Sequence, residues 1–366
     1  MAHIIEMLDE IANSDEQSVL ATIIHVEGSA YQKEGTSMLF SANGKQIGII
    51  SAGCLETDLA IRATELMQTS SVQNQTFVYD TSAEDDLSWG RGAGCNGKIH
   101  ILLEKVNSIN YKDLLTLRVY LHQGIPVVAM KIFEKDPSSV RTLYVSKDQH
   151  MFGHRDAMSH QLNKIARHAN KSRLQYMENL GSHIFIHRFE PQPRLFIFGA
   201  GPDVIPLAAV AAKTNFKVII WDWRLARLNK MDFPDANFIK TPSIPEMVKE
   251  LDFWPTDSIM IMTHDFQKDK ELLASLSSQQ VNYFGILGPR KRTSRLLHGK
   301  NIPEHVHSPA GLAIGAKGPE EIAISIVADM VQVKREKSYE KRLAGDTRRN
   351  SSHLSSSRQK QTFWQE

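Results

Sequence analysis

The sequence predicts an α/β protein of two domains, on three observations. Residues 1–192 mix short strand-like apolar runs with amphipathic helical stretches. Across 193–333, long apolar strands alternate with helical runs, the pattern of a parallel sheet. Between the first strand and first helix of that second region stand two glycines, Gly199 and Gly201. Residues 334–366 are rich in Ser, Arg and Lys and poor in apolar side chains, and are expected to form a disordered polar tail.

The elements follow in order. "MAHIIEMLDEIANSDEQ" spaces its apolar residues as an amphipathic helix, and with acids among them and no basic region it is expected to be part of the fold and not a signal peptide. "SVLATIIHVEG" reads as a strand. The runs on either side of Asn43-Gly44 read as a hairpin, because Asn-Gly accepts the positive φ angles of a type I′ turn. Leu55, Leu59, Ala63, Leu66 and Met67 recur at helical spacing. "NQTFVYDTS" and "GKIHILLE" are strands, and "YKDLLTLRVYLHQG" is a helix stopped by Gly124. "PVVAMKIFE" and "RTLYVS" are strands, residues 157–178 read as one polar helix, and "SHIFIHRFE" is a strand. The prolines of "EPQPRL", 190–195, mark a linker. Beyond it, "RLFIFGAG", "FKVIIWD", "DSIMIMTHD" and "VNYFGILG" are strands separated by helices, closed by the helix "GPEEIAISIVADMVQV". No internal repeat is visible.

Composition excludes several classes. The net charge is +2, so no overall field draws the chain to nucleic acid or to a membrane. No run reaches the ~18 apolar residues of a bilayer span. Two cysteines among 366 residues make no disulfide framework, and a reduced, cytoplasmic setting is expected.

"FIFGAGPDVIPLA" places Gly199-x-Gly201 after a strand and before a helix, the context of a dinucleotide fingerprint. A Rossmann-like domain is expected there. Asp222, 23 residues after Gly199, ends the next strand, where an acid can accept from a ribose diol. Val204 stands where Gly or Ala normally completes the fingerprint, and Pro206 is early in the helix. The glycines are also explained by fold geometry alone. Two further strand ends should share that crevice. One carries His264; the other carries Arg290, Lys291, Arg292 and Arg295, an anion site or a solvated basic face.

The two cysteines sit in "ISAGCLETD" and "WGRGAGCNGKIHILLE", each directly after a glycine: Gly53-Cys54 and Gly94-Cys95. Together with "GSAYQKEGTSML", "YFGILGPRKR" and "SPAGLAIGAKGPEEIAISIVADM", these segments resemble the xanthine dehydrogenase accessory protein family, XdhC/CoxI, over residues 8–332. The resemblance implies a family-specific N-terminal domain before the Rossmann-like one. It implies a chaperone, not a catalyst, that binds the molybdenum cofactor (molybdopterin), supports its sulfuration and delivers it to a xanthine dehydrogenase-type molybdenum hydroxylase. Cys54 and Glu56 match the family's G-C-x-E element, and Cys95 its second glycine-cysteine element. Ala52, where a second glycine is common, and Pro202-Asp203-Val204, in place of a His-containing run, depart from the family pattern.

The expected cofactor contacts are therefore Gly53, Cys54, Glu56, Gly94, Cys95, Gly199, Gly201, Asp222, His264, Arg290 and Arg292. Cys54 and Cys95 are candidate molybdenum ligands, since thiolate is the softest side-chain donor. Glu56 and Asp58 also suit the first turn of a helix. A nucleotide such as NAD(P) is a second candidate ligand, and a cysteine desulfurase and a second copy of the chain are candidate partners. The alternative function is an NAD(P)-dependent oxidoreductase; the cysteine-glycine elements have no role in hydride transfer.

Overall fold

The structure is a computed structural model that describes residues 4–80, 97–108, 110–134, 139–156 and 158–347. The chain builds three sheets. The first unit runs α1 (Ile4–Asn13), β1 (Ser18–Gly28), β2 (Ser37–Ser41), β3 (Gln46–Gly48), α2 (Glu56–Gln68), β4 (Asn74–Asp80) and β5 (Gly97–Lys105). Its strands pair antiparallel in the order β3-β2-β1-β5-β4. The Asn43-Gly44 turn joins β2 to β3, with Gly44 at φ +84°.

The second unit runs α3 (Asn110–His122), β6 (Val127–Phe133), β7 (Val140–Ser146), β8 (Met151–Gly153), α4 (Ser159–Arg167), β9 (Arg173–Met177) and β10 (Ser182–Phe189). Its order is β8-β7-β6-β10-β9, again antiparallel. Helix, three strands, helix and two strands thus occur twice with one topology. The repeat escapes the sequence because a sheet's order needs only alternation of buried and exposed positions, not like residues. The helix expected over 157–178 ends at Arg167, and residues 173–177 are instead the edge strand β9. Pairing with β10 overrides a weak local preference.

The two sheets pack face to face. Outward residues of the first, such as Ile23, Ile101 and Leu103, meet Leu59, Ala63 and Leu66 of α2. Outward residues of the second, such as Met130 and Ile186, meet Leu162 and Ala166 of α4. Between the sheets, Ile24, Leu102, Phe133 and Phe185 touch at one end, while α1 and α3 fill the other. Lys131 of β6 lies buried in this seam, 2.5 Å from the Glu104 carboxylate of β5. His187 Nε2 meets the Gly35 carbonyl across it.

The rest of the chain is β11 (Arg194–Phe198), α5 (Val204–Lys213), β12 (Lys217–Trp221), β13 (Asn237–Ile239), α6 (Ile244–Glu250), β14 (Ser258–Ile261), α7 (Phe266–Leu276), β15 (Tyr283–Ile286), α8 (Arg290–Leu296), β16 (Val306–His307) and α9 (Gly318–Thr347). Six parallel strands take the order β13-β12-β11-β14-β15-β16, the Rossmann arrangement with its switch point between β11 and β14. Pro206 is tolerated because it falls in the first turn of α5, where backbone N–H groups have no intrahelical acceptor. Val204 is fully buried against the α9 side of the core. Beyond 333, where a structureless tail was expected, α9 continues to Thr347; residues 348–366 lie outside the described residues.

The halves of the chain meet where Gly124, after α3, packs on Trp254, whose indole ring centroid lies 3.4 Å below the Arg194 guanidinium of its own half. A side chain at Gly124 would collide with that indole at 2.3 Å, so this glycine is required by the contact as well as by its φ of +78°. A cavity of about 480 Å³ opens beside the joint, lined by Glu6, His122, Lys213, Lys217 and Asp235. It lies at the start of β11 and β12, the opposite edge of the sheet from the glycine turn.

Candidate functional site

Two places carry the residues expected from sequence. The first is the loop from β3 to α2. Gly48 opens it at φ +104°, packed so that a Cβ would lie 2.8 Å from Met7 and 2.9 Å from the Ser37 carbonyl. Ile50 and Leu55 are buried and pin both feet of the loop into the core. Between them, Ala52, Gly53 and Cys54 are exposed. Gly53 also has φ +104°, but a Cβ there would meet nothing within 4 Å. Crowding does not demand this glycine; the left-handed turn does.

Glu56, the first residue of α2, folds back under the loop. Its carboxylate accepts from Ile50 N (3.1 Å), Ser51 N (2.7 Å), Ser51 Oγ (2.5 Å) and Leu55 N (3.2 Å). Burial alone would raise its pKa, but these donors outweigh that and hold the carboxyl below its ordinary range. In the same turn, Asp58 accepts from Arg62 Nε (2.5 Å) and Tyr79 Oη (2.5 Å). Tyr79 lies near the end of β4, so this bond ties the start of α2 to the strand that leads into residues 81–96. Asp80 and Lys98, a 3.1 Å ion pair, bring the two ends of that stretch together. Gly94 and Cys95 lie within 81–96, outside the described residues.

The second place is the carboxyl ends of β11, β14 and β15. These strands are parallel, so Gly199, Gly201, His264 and the Arg290 segment share one edge of the sheet. The groups there are largely bonded to one another. A Cβ on Gly199 would lie 2.4 Å from the Met262 carbonyl, so backbone of the neighbouring strand occupies the space beside it. A Cβ on Gly201 would lie 2.5 Å from Asp203 Oδ1. Asp203 Oδ2 meets His264 Nε2 at 2.7 Å, a bridge across the switch point, and His264 holds a left-handed φ of +61°.

Asp222 is fully buried. It accepts from Ala200 N (2.9 Å), Arg224 N (2.8 Å) and, in a fork, Arg224 Nε (2.9 Å) and Nη2 (2.8 Å). Burial disfavours its charge, yet these donors hold its pKa below the ordinary carboxylate range. The carboxylate expected to receive a ribose diol thus stitches the glycine turn to Arg224. Arg292 is committed to buried Asp269 at 2.6 Å, and Arg290 reaches the Ser308 carbonyl at 3.4 Å. The structure therefore brings all six crevice residues to one edge, commits Asp222 and Arg292 among them to protein partners, and leaves Cys54 on an open loop elsewhere.

Sequence reasoning missed Ser51, Asp203, Arg224 and Asp269, the partners of the residues it chose. Asp222-x-Arg224 was a local signal for an ion pair. Asp203 and His264 stand 61 residues apart and offered none. Among the described residues no group of three or more His, Cys, Asp or Glu is placed to hold a metal ion, and no helix is long and apolar enough to cross a membrane.

Residues 11–80 match the XdhC and CoxI family model, 109–190 the BH1974-like central domain, and 195–330 the XdhC Rossmann domain. The chain is 42% identical over 329 residues to a Bacillus subtilis protein described as a probable xanthine dehydrogenase component, covering 90% of this chain and 97% of that one. The chain belongs to the XdhC and CoxI family. A more distant XdhC relative is the Escherichia coli molybdenum cofactor insertion chaperone PaoD, 22% identical over 89% of this chain and 86% of PaoD. A crystal structure of a xanthine dehydrogenase from Bacillus halodurans shares the fold with a TM-score of 0.78, at 42% identity over 91% of this chain and 96% of that one. The family boundaries follow the three sheets: each matched segment falls on one sheet or, for the first, on most of one.

Proposed function

We propose that the chain is an accessory protein that binds the molybdenum cofactor and hands it to a xanthine dehydrogenase-type hydroxylase, with Cys54 as a contact. The observation that carries this reading is the contrast in access. Cys54 and Gly53 stand exposed on a loop held from beneath, while Asp222 and Arg292 of the crevice are bonded to protein. The residues suit the group: an exposed thiol offers a soft donor to molybdenum, and Gly53 leaves open space beside the backbone. When bound, the cofactor would supply the molybdenum centre that the hydroxylase uses. The chain's own part is to hold and orient it. One relative is named as a component of xanthine dehydrogenase and another as a cofactor insertion chaperone, and both names support an accessory role.

A cytoplasmic setting rests on the sparse cysteines, while support of sulfuration, with a cysteine desulfurase as donor partner, belongs to the same reading and rests on the family resemblance. So do a second copy of the chain as partner and Cys95 as a further contact. Nucleotide binding in the Rossmann crevice would require a ligand to displace Arg224 from Asp222 or to use other groups.

The experiment is purification of the full chain from cells that make molybdenum cofactor, with molybdenum measured and the released pterin read by fluorescence after oxidation. Cys54→Ser is expected to lower both, and to lower activation of an apo-hydroxylase, with an unchanged thermal melt. Full retention and full activation by Cys54→Ser would sink the reading of this thiol.

A further inference from the structure

We propose that Glu56 is the positioning residue of the Cys54 loop: its carboxylate shapes the loop from within and does not touch the cofactor. The proposal rests on the reading of Cys54 as a cofactor contact. A carboxylate offers about four lone-pair sites. Glu56 spends four hydrogen bonds on Ile50 N, Ser51 N, Ser51 Oγ and Leu55 N, all within its own loop. Both carboxylate oxygens are thereby engaged inside the loop, Oε1 by Ile50 N and Ser51 N, and Oε2 by Ser51 Oγ and by the Leu55 N–H that it shares with Ser51 Oγ. Ser51 Oγ, itself buried, donates to Glu56 and accepts from Leu55 N at 2.9 Å, which closes the ring under the exposed tip.

The helix dipole does not account for this aim. A first-turn acid gains from the dipole whichever way it points. Asp58, in the same turn, points instead to Arg62 and Tyr79. The second unit supplies an internal control. At the matching junction, between β8 and α4, the first helical residue is Ser159 and the turn closes locally: Met158 N donates to Asp156 Oδ1 at 2.9 Å, and Asp156 N to Ser159 Oγ at 2.8 Å. Among the described residues of that junction, no side chain reaches back over a longer loop. Glu56 is thus placed where a loop must be held in one shape, and only in the unit whose loop carries a thiol.

The test uses the full chain, with iodoacetamide as probe of Cys54, read on its own peptide by mass spectrometry. Amide exchange of Ser51 and Leu55 is followed in parallel, with molybdenum retention and a thermal melt. Glu56→Gln keeps the size and removes the charge. It should speed exchange at those amides by about ten-fold or more, the scale of losing a hydrogen bond to a charged group. The alkylation rate of Cys54 should change and retention should fall with it. If retention falls while exchange and alkylation stay at wild-type values, Glu56 is a direct cofactor contact and the proposal is overturned. Should Glu56→Gln fail to fold, Ser51→Ala carries the test, because it leaves Glu56 in place and removes one donor. Unchanged exchange at both the residue-51 and Leu55 amides, with unchanged alkylation, in Ser51→Ala would also overturn it. Normal retention by Cys54→Ser would instead strike at the cofactor reading, and the exchange data would still report on Glu56.

Discussion

In the first unit β3 passes to α2 through residues 49–55 and β4 passes to β5 through 81–96; in the second, the same two junctions are 154–158 and 178–181. Both units share strand order, both bury one sheet face under a helix, and both place a positive-φ glycine, Gly48 or Gly153, at the end of the third strand. They part at those junctions. The longer pair carries both cysteines of the chain, and the shorter pair carries none. A strand order can be kept for stability by either unit. What one unit adds to the common plan, and the other lacks, is where binding chemistry can be added without disturbing the core.

The comparison predicts its largest effect in the seam that joins the units. Each contributes one partner to the buried Glu104–Lys131 pair. Removing one partner strands a charge, so Lys131→Met should cost about 3–5 kcal/mol in denaturant unfolding. Replacing both, Lys131→Met with Glu104→Leu, should return most of that loss, since a well-packed apolar pair often matches a buried ion pair. If Lys131→Met alone is neutral, the seam is wetter than the packing indicates and the two sheets are not a single unit of stability.

Much of this arrangement is legible in sequence where the signal is local. Asn43-Gly44 marks a hairpin, the spacing of Leu59, Ala63 and Leu66 marks α2, and Gly199-x-Gly201 marks the turn into α5. The parallel pairing of 194–198 with 217–221 follows from strand-helix alternation. Partnerships across distance are not legible. Glu104 and Lys131 are 27 residues apart, and nothing in either neighbourhood says that the charges face one another. β9 reads as helix in sequence because Arg173 to Met177 carries no strong local preference, and only the edge of β10 decides it. Glu56 stands out through its glycine-cysteine neighbours, yet its direction depends on where Ile50 and Ser51 turn.

A smaller effect is expected from the seam's histidines. Burial and the nearby Lys131 charge push His187 of the second unit down to about 3, from an ordinary 6.5. Burial also lowers His100 of the first unit and His183 of the second. A folded pKa below the unfolded one means that the unfolded chain binds more protons in between. Stability is therefore fully present above the unfolded value of 6.5 and is lost as pH falls toward the folded value. The slope for one such group is at most about 1.4 kcal/mol per pH unit. Unfolding measured from pH 7 to 4.5, above most carboxylate titration, should show this fall, and His187→Leu should flatten it. A pH-independent ΔG over that range would mean that the seam hydrates before it unfolds.

The smallest effect separates the glycines of the two units. At Gly153 a Cβ would lie 2.5 Å from the Thr142 carbonyl, and at Gly48 it would lie 2.9 Å from the Ser37 carbonyl, so alanine at either must move backbone as well as adopt an unfavourable φ. At Gly53 the space is open and only the φ of +104° opposes a side chain. Gly53→Ala should therefore cost about 1–2 kcal/mol, the scale of left-handed strain for an ordinary residue. Gly48→Ala and Gly153→Ala should both cost more. If the first unit's loop serves the cofactor, Gly53→Ala should still lower molybdenum retention, because the methyl projects into the space a bound group would use. Gly153→Ala, corrected for its lower stability, should leave retention unchanged. Equal losses of retention for the two variants would show that stability alone governs binding, and the difference between the units would then concern folding only.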